Sequence, residues 1–409
     1  MLAVHTESPA LPSPANPLAA VGHPDPYPYY AALAARHPFD FDASLGLWVA
    51  AGPQAVAAVL RHPACGVRPV GARVPAALTD GAAGDWFGEL VRMNDGAPHA
   101  SLKPWLSARL ATLRTDAAAI SRLREASQAA CADAYLACGD WPPARLDDFV
   151  FRQPIYALAA WLGVAPAQWA DVYGDVHTLV AAMAEAGSPS PRKEVLARGH
   201  RAAATLRHRI DDWLDNGAAP GTWLRETARR AARGEGPDDD ALAANIAGLF
   251  TQTHDACAGL VANSLRRIAR RATTLVQPDE LRTAAAVVGE VLRLDPPVQN
   301  TRRFLLAPAV IGERTLAPGE GILVLLAATP ATDATHATHA THAHDNLAPT
   351  FGQGPHTCPG HSPAVTVAAV GVQAILASRV DLKMLAGGTA CHPLANVRIA
   401  RFDSAASTR

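Results

Sequence analysis

The stretch Phe351-Gly352-Gln353-Gly354-Pro355-His356-Thr357-Cys358-Pro359-Gly360 sets a single cysteine at the end of a glycine-rich turn, just before an apolar run to about Ser378 that reads as a helix. Proline suits the first helical position, where no intrahelical N–H bond is lost, so the helix is expected to open at Pro359. A cysteine at that end faces unpaired N–H groups and the positive end of the helix dipole, which favour thiolate over thiol. Glycines there let a flat group approach the backbone closely. An isolated cysteine beside a glycine loop is more often a small buried apolar residue, so the spacing of the whole segment has to decide.

That spacing resembles the Phe-x-x-Gly-x-x-x-Cys-x-Gly loop of the cytochrome P-450 family, with Phe351, Gly354, Cys358 and Gly360 in every fixed place. The resemblance implies haem b with Cys358 as the thiolate ligand of its iron, and Phe351, Gly352 and Gly360 shaping the loop around it. His356 matches a basic residue that contacts a haem propionate in the family. The implied fold is mainly α with minor β, a cytochrome P-450 fold with a long central helix over the haem.

Composition agrees with a helical enzyme. Alanine is abundant and β-branched runs are scarce among 409 residues that are 49% hydrophobic. A formal net charge of −1 gives no reason to expect nucleic acid or an anionic membrane as partner. Cysteines at 65, 131, 138, 257, 358 and 391 form no CxxC pair, which argues against a disulfide scaffold and a structural zinc site and suits a reducing, cytoplasmic setting. No uninterrupted apolar stretch reaches 18 residues, so no membrane span is expected. Residues 1–23 are Pro- and Ala-rich and are expected to be disordered, leaving 24–409 as a single domain.

Helical patterns cover 24–36, 54–61, 98–113, 116–138, 169–185 and 193–216, and a hairpin turns at Ser44-Leu45-Gly46. Residues 65–91 lose periodicity and read as a long connection. Short extended pieces fill 298–326, punctuated by Pro318-Gly319-Glu320-Gly321. Between Ala331 and His344, Ala-Thr-His triplets repeat; such a tract reads as surface filler, with metal binding as the alternative.

From Asp238 to Ala272 runs a helix of about 50 Å at 1.5 Å per residue. Aspartates open it and arginines close it, matching the dipole. Its middle, Thr251-Gln252-Thr253-His254-Asp255-Ala256-Cys257, is a polar interruption that costs stability unless it is satisfied, and so marks a site. In the P-450 family this helix carries Ala-Gly-x-(Asp/Glu)-Thr, whose acid and alcohol help deliver protons to iron-bound oxygen. One register, preferred for its distance to the next motif, places Asp255 at the acid and Ala256 where the threonine belongs. The rival, Ala247-Gly248-Leu249-Phe250-Thr251, keeps the alcohol and loses the acid. Without the threonine, the proton path falls to Thr253, His254, a water or the substrate, or the outcome shifts to coupling, desaturation or ring formation.

Glu290 and Arg293 stand three apart on one helical face and, followed by Pro296-Pro297, resemble the family's Glu-x-x-Arg brace. Arg303, with Arg302 beside it, occupies the family's propionate-binding position, as do His99 and Lys103. The family's meander arginine has no counterpart between Arg314 and Arg379, where His344 is the substitute on offer. The closing segment Asn396–Phe402 resembles the family's last strand. The resemblance implies a monooxygenase acting on a small, largely apolar, secondary-metabolite-like molecule. Electrons would come from ferredoxin and ferredoxin reductase. A non-catalytic haem-thiolate binding or sensing protein, and a peroxide-driven enzyme, are the alternatives.

Overall fold

The run Asp239–Arg270 forms one unbroken helix of 32 residues. Its N-cap Asp238 accepts a hydrogen bond from the Ala241 N–H at 2.8 Å, and Arg267 and Arg270 lie in its last turn, so both ends complement the dipole. The computed structural model describes residues 12–134, 143–271, 281–328, 350–378, 380, 386 and 388–402. The Ala-Thr-His repeat, with His344, lies outside the described residues.

Among those residues the helices are α1 (Pro17–Ala20), α2 (Tyr27–Arg36), α3 (Pro53–Arg61), α4 (Ala82–Glu89), α5 (Gly96–Leu110), α6 (Ala117–Asp133), α7 (Pro143–Leu162), α8 (Trp169–Glu185), α9 (Lys193–Asp212), α10 (Trp223–Ala232), α11 (Asp239–Arg270), α12 (Leu281–Leu294) and α13 (His361–Ala377). The strands are β1 (Phe39–Asp42), β2 (Leu47–Ala50), β3 (Cys65–Gly66), β4 (Asn300–Leu305), β5 (Ala309–Ile311), β6 (Arg314–Leu316) and β7 (Gly321–Leu325). Five strands pair in the order β1-β2-β7-β4-β3, with β2 and β7 parallel, and β5–β6 make a separate ribbon. This is the mainly helical fold expected from composition, with the minor β that the resemblance implied.

The α11 helix is the central rod, packed against α4, α7, α8, α9, α12 and α13. Its buried face carries Ala, Leu, Ile, Val and Phe on nearly every turn. The stretch Gly354–Ala377 is long and apolar enough to cross a membrane by length and composition. It packs instead on α6, α7, α11 and α12. A close approach to α7 explains Gly371, where a Cβ would stand 2.5 Å from Gln153 Oε1. Gln153 in turn donates to the carbonyl of Val367 on α13 and to Ser127 Oγ on α6, both at 3.1 Å.

Several expectations need correction. The ordered chain begins before residue 24: Ala20 and Val21 are fully buried, and Arg398 donates to the carbonyls of Val21, His23 and Pro24. The 65–91 connection contains α4, held by buried Trp86 and Phe87, because tertiary burial compensates for a short, weakly periodic segment. Helices α7 and α10 fall where no pattern was assigned. The closing strand is reduced to two isolated bridges, Val298–Val397 and Cys391–Ala400.

Candidate functional site: a cysteine-floored cleft under the central helix

Gly352 (φ +74°) and Gly354 (φ +71°) both take the left-handed conformation that makes the turn before Cys358. At Gly354 a Cβ would also meet the Leu60 carbonyl oxygen at 2.7 Å, so the loop sits hard against the end of α3. The Cys358 N–H donates to the Phe351 carbonyl at 2.8 Å and closes the loop. Helix α13 opens two residues later than Pro359, with Gly360 as its N-cap. The thiol therefore meets the helix end through the Gly360 N–H rather than from inside the first turn. Burial pushes the thiol above its ordinary pKa, against the pull of the Gly360 N–H and of Lys103. In the protein alone burial wins, contrary to the thiolate expected from position; a bound metal cation would reverse that order. Cys358 is nevertheless accessible to solvent. A group both densely surrounded and accessible lies on the floor of a cleft.

Basic groups gather on one edge of that cleft. Lys103 Nζ donates to the Thr357 carbonyl at 2.6 Å. The His99 and His356 rings lie 4.2 Å apart, centroid to centroid, and His356 Nε2 pairs with Asp95 Oδ1 at 2.9 Å. Asp95 Oδ2 accepts from the Val67 N–H at 2.8 Å, and burial, which opposes it, is outweighed by these bonds, so its carboxyl is held below the usual range. His99 is driven down to about 4, first by burial, then by His356 and Lys103, and its Nε2 is buried without a partner. Strand alternation separates the two arginines of β4. Arg303 is 6% exposed and turns inward near Asp95, whereas Arg302 faces outward and does not join the cluster.

Opposite the cysteine, the buried run of α11 is interrupted by exposed Gln252 and partly exposed Thr253, Asp255 and Ala256. Cys257, fully surrounded, has its thiol raised by burial and then by the nearby Cys358, so this turn lies close to the cysteine loop. Asp255 Oδ1 pairs with Nδ1 of buried His254 at 2.7 Å, and His254 Nε2 meets His177 Nδ1 at 3.1 Å. His177, on α8, is exposed. The Thr253 side chain makes no hydrogen bond among the described residues, and Thr251 is buried with its hydroxyl turned back to the Gly248 carbonyl at 3.3 Å. His177 was not singled out from sequence; a lone histidine on a helix gives no signal until the partner helix is placed.

No protein-family model matches the sequence, and no curated protein matches it. Solved structures do. The chain is similar to CalO2, with 20% identity and a TM-score of 0.71 over 92% of this chain and 94% of that one. It is similar to P450BioI in complex with a hexadec-9Z-enoic acid-ligated acyl carrier protein (18%, 0.69, 92% and 96%). It is also similar to epothilone B-bound cytochrome P450epoK (20%, 0.70, 86% and 89%). The chain has the cytochrome P-450 fold.

Within the P-450 fold, the residues present fit a haem. One thiol floors the cleft, Lys103, His99, Arg303 and His356 line an edge suited to two propionates, and His99 Nε2 and Gln353 Oε1 are buried without partners among the described residues. The Glu-x-x-Arg brace departs from expectation. Glu290 pairs with Arg267 and with Arg271 Nη1 (2.6 Å) at the end of α11, which pull its carboxyl down to about 2, while Arg293 is exposed. Two arginines on the neighbouring helix outcompete one on its own helix. The buried ionic hub is instead Asp295, which accepts from Tyr27 Oη (2.6 Å), Arg266 Nη2 (3.0 Å) and Arg398 Nε (2.9 Å).

Proposed function

We propose that this protein is a haem-thiolate monooxygenase that oxidises a small, largely apolar molecule with O2, taking electrons from ferredoxin through ferredoxin reductase. The observation that carries the reading is Cys358: accessible, densely surrounded, and facing the interrupted turn of α11. A haem held through the Cys358 thiolate would supply oxygen activation, with the sulfur donating electron density that favours O–O cleavage. The chain supplies the rest. Cys358 would be the ligand, and the Gly360 N–H and Lys103 would favour its thiolate. Lys103, His99, Arg303 and His356 would hold the propionates by charge-assisted hydrogen bonds.

Proton delivery rests on side chains of α11 and α8. Ala256 has no hydroxyl, so Asp255 holds the proton on its carboxylate and is recharged through His254 from His177 at the surface. Each histidine passes a proton between its two ring nitrogens, as neutral imidazoles do in shuttles. Neighbours whose ligands are natural products, such as epothilone B, support a secondary-metabolite intermediate as substrate. The cytoplasm is the compartment that fits free cysteines.

Ala256 also favours a second reading, a haem-thiolate protein that binds or senses small molecules without turnover. Reconstitution with a surrogate ferredoxin and reductase separates the two. Product formed from a spin-state-shifting ligand supports the oxygenase, and no product from any such ligand supports the sensor. Activity with hydrogen peroxide alone would point to the peroxide-driven route.

A further inference from the structure

Arg92 lies in a single turn of 3-10 helix, Val91–Met93, slung between the two walls of the cleft. On one side the Val91 N–H donates to Asn245 Oδ1 of α11 at 2.9 Å; on the other Asp95 holds His356 in the cysteine loop. Asn94 fixes the turn from beneath by donating to the Gly88 and Leu90 carbonyls, both at 2.8 Å. The backbone on either side of the intervening arginine is thereby anchored. Its Nε is buried without a hydrogen-bond partner, and among the described residues it forms no ion pair.

Arg92 as a whole is partly exposed, but its Nε is shut off from water, and a charged group desolvated in this way is costly until a partner meets it. Burial pushes the Arg92 pKa down, and the one charge opposing that shift is Asp255, on the interrupted turn of α11. Asp255 stays beyond ion-pair distance and is already bonded to His254. The charges that bear on His99 are His356, Lys103 and Asp95, and those on Arg303 are Asp95 and Cys65; neither set includes Arg92. Arg92 thus belongs to the side of the cleft facing α11, apart from the basic edge assigned to propionates.

We propose that Arg92 is the binding group for a carboxylate carried by the substrate, so that the molecule oxidised is an apolar acid. The inference rests on the oxygenase reading for its consequence but not for its test. The planar guanidinium fork matches a carboxylate with two parallel hydrogen bonds, a geometry that neither an ester nor an alcohol reproduces. An apolar body would then extend along the α11 turn while the acid end is held at the wall, which fixes the orientation of the chain before any chemistry.

The test is equilibrium dialysis of the purified full-length protein with labelled decanoate and 4-butylbenzoate, each beside its methyl ester. The expected result is at least tenfold tighter binding of the acid than of its ester for one pair or both. Arg92→Gln erases that preference, and Arg92→Lys keeps part of it. Haem content of both variants stays at the wild-type level. Equal affinity for acid and ester, absence of acid binding, or a preference that survives Arg92→Gln overturns the proposal. Loss of haem from Arg92→Gln also overturns it, because it would make Arg92 a propionate ligand. The carbon monoxide spectrum of the same samples reports on the haem-thiolate reading separately.

Discussion

His254 Nε2 and His177 Nδ1 stand 3.1 Å apart, joining the buried centre of α11 to an exposed position on α8. With the 2.7 Å bond from His254 Nδ1 to Asp255, this makes a continuous hydrogen-bonded path from the protein surface to the turn facing Cys358. Stacking of the His254 ring on Phe151, centroids 5.1 Å apart, holds the middle member in place. In the proposed proton path these two histidines carry the exchangeable protons.

Replacing His254 with Phe should lower product formation about tenfold or more while haem content is retained, general acid–base groups being worth roughly 10²–10⁴-fold. His177→Phe should act in the same direction with a smaller effect, since solvent can reach His254 once the outer ring is gone. Asp255→Asn should lower product yield more than haem content. Yield per electron consumed and the solvent isotope effect check all three; equal losses of yield and haem would reduce these residues to structural ones.

The buried Asp295 hub makes the largest single demand on stability. Asp295→Ala leaves Arg266 and Arg398, at 3% and 2% exposure, without their shared carboxylate. Breaking one partner out of a buried pair costs about 3–5 kcal/mol. Thermal unfolding should show the loss plainly. Arg293→Ala, at an exposed position, should stay within about 0.5 kcal/mol and keep its haem. Loss of haem on changing Arg293 would restore the brace that the resemblance implied.

Acid sensitivity follows from His99. Its pKa falls from 6.5 to about 4 in the folded protein, chiefly through burial. Between those values the unfolded chain binds the extra proton, so stability is full above pH 6.5 and declines as pH falls toward 4. Haem-free protein should lose melting temperature across that window, and His99→Gln should flatten the decline. Differential scanning at half-unit pH intervals tests the slope.

The cysteine loop and the central helix were legible because each carries a local signature: fixed spacing in one, charged ends and a polar interruption in the other. Helix α8 was readable to its ends, since Trp169, Val172, Val176 and Leu179 repeat at helical spacing. Helix α7 was not, because Pro154 sits inside it and its burial is nearly all round. The brace failed for a different reason. Three-residue spacing licenses Glu290 to meet Arg293, but Arg267 and Arg271 arrive from α11, and only the packing of α11 on α12 reveals that competition. Likewise the Arg302–Arg303 pair is ambiguous until strand pairing fixes which residue turns inward. Arg92 has no motif at all; its meaning lies in the missing partner.

The most direct test is the reduced carbon monoxide difference spectrum of the wild type beside Cys358→Ala and Cys358→His. The account predicts the absorption band of a thiolate-bound haem iron in the wild type, and its loss in both variants. A wild-type protein that takes up no haem, or a thiolate band that survives in Cys358→Ala, would contradict it.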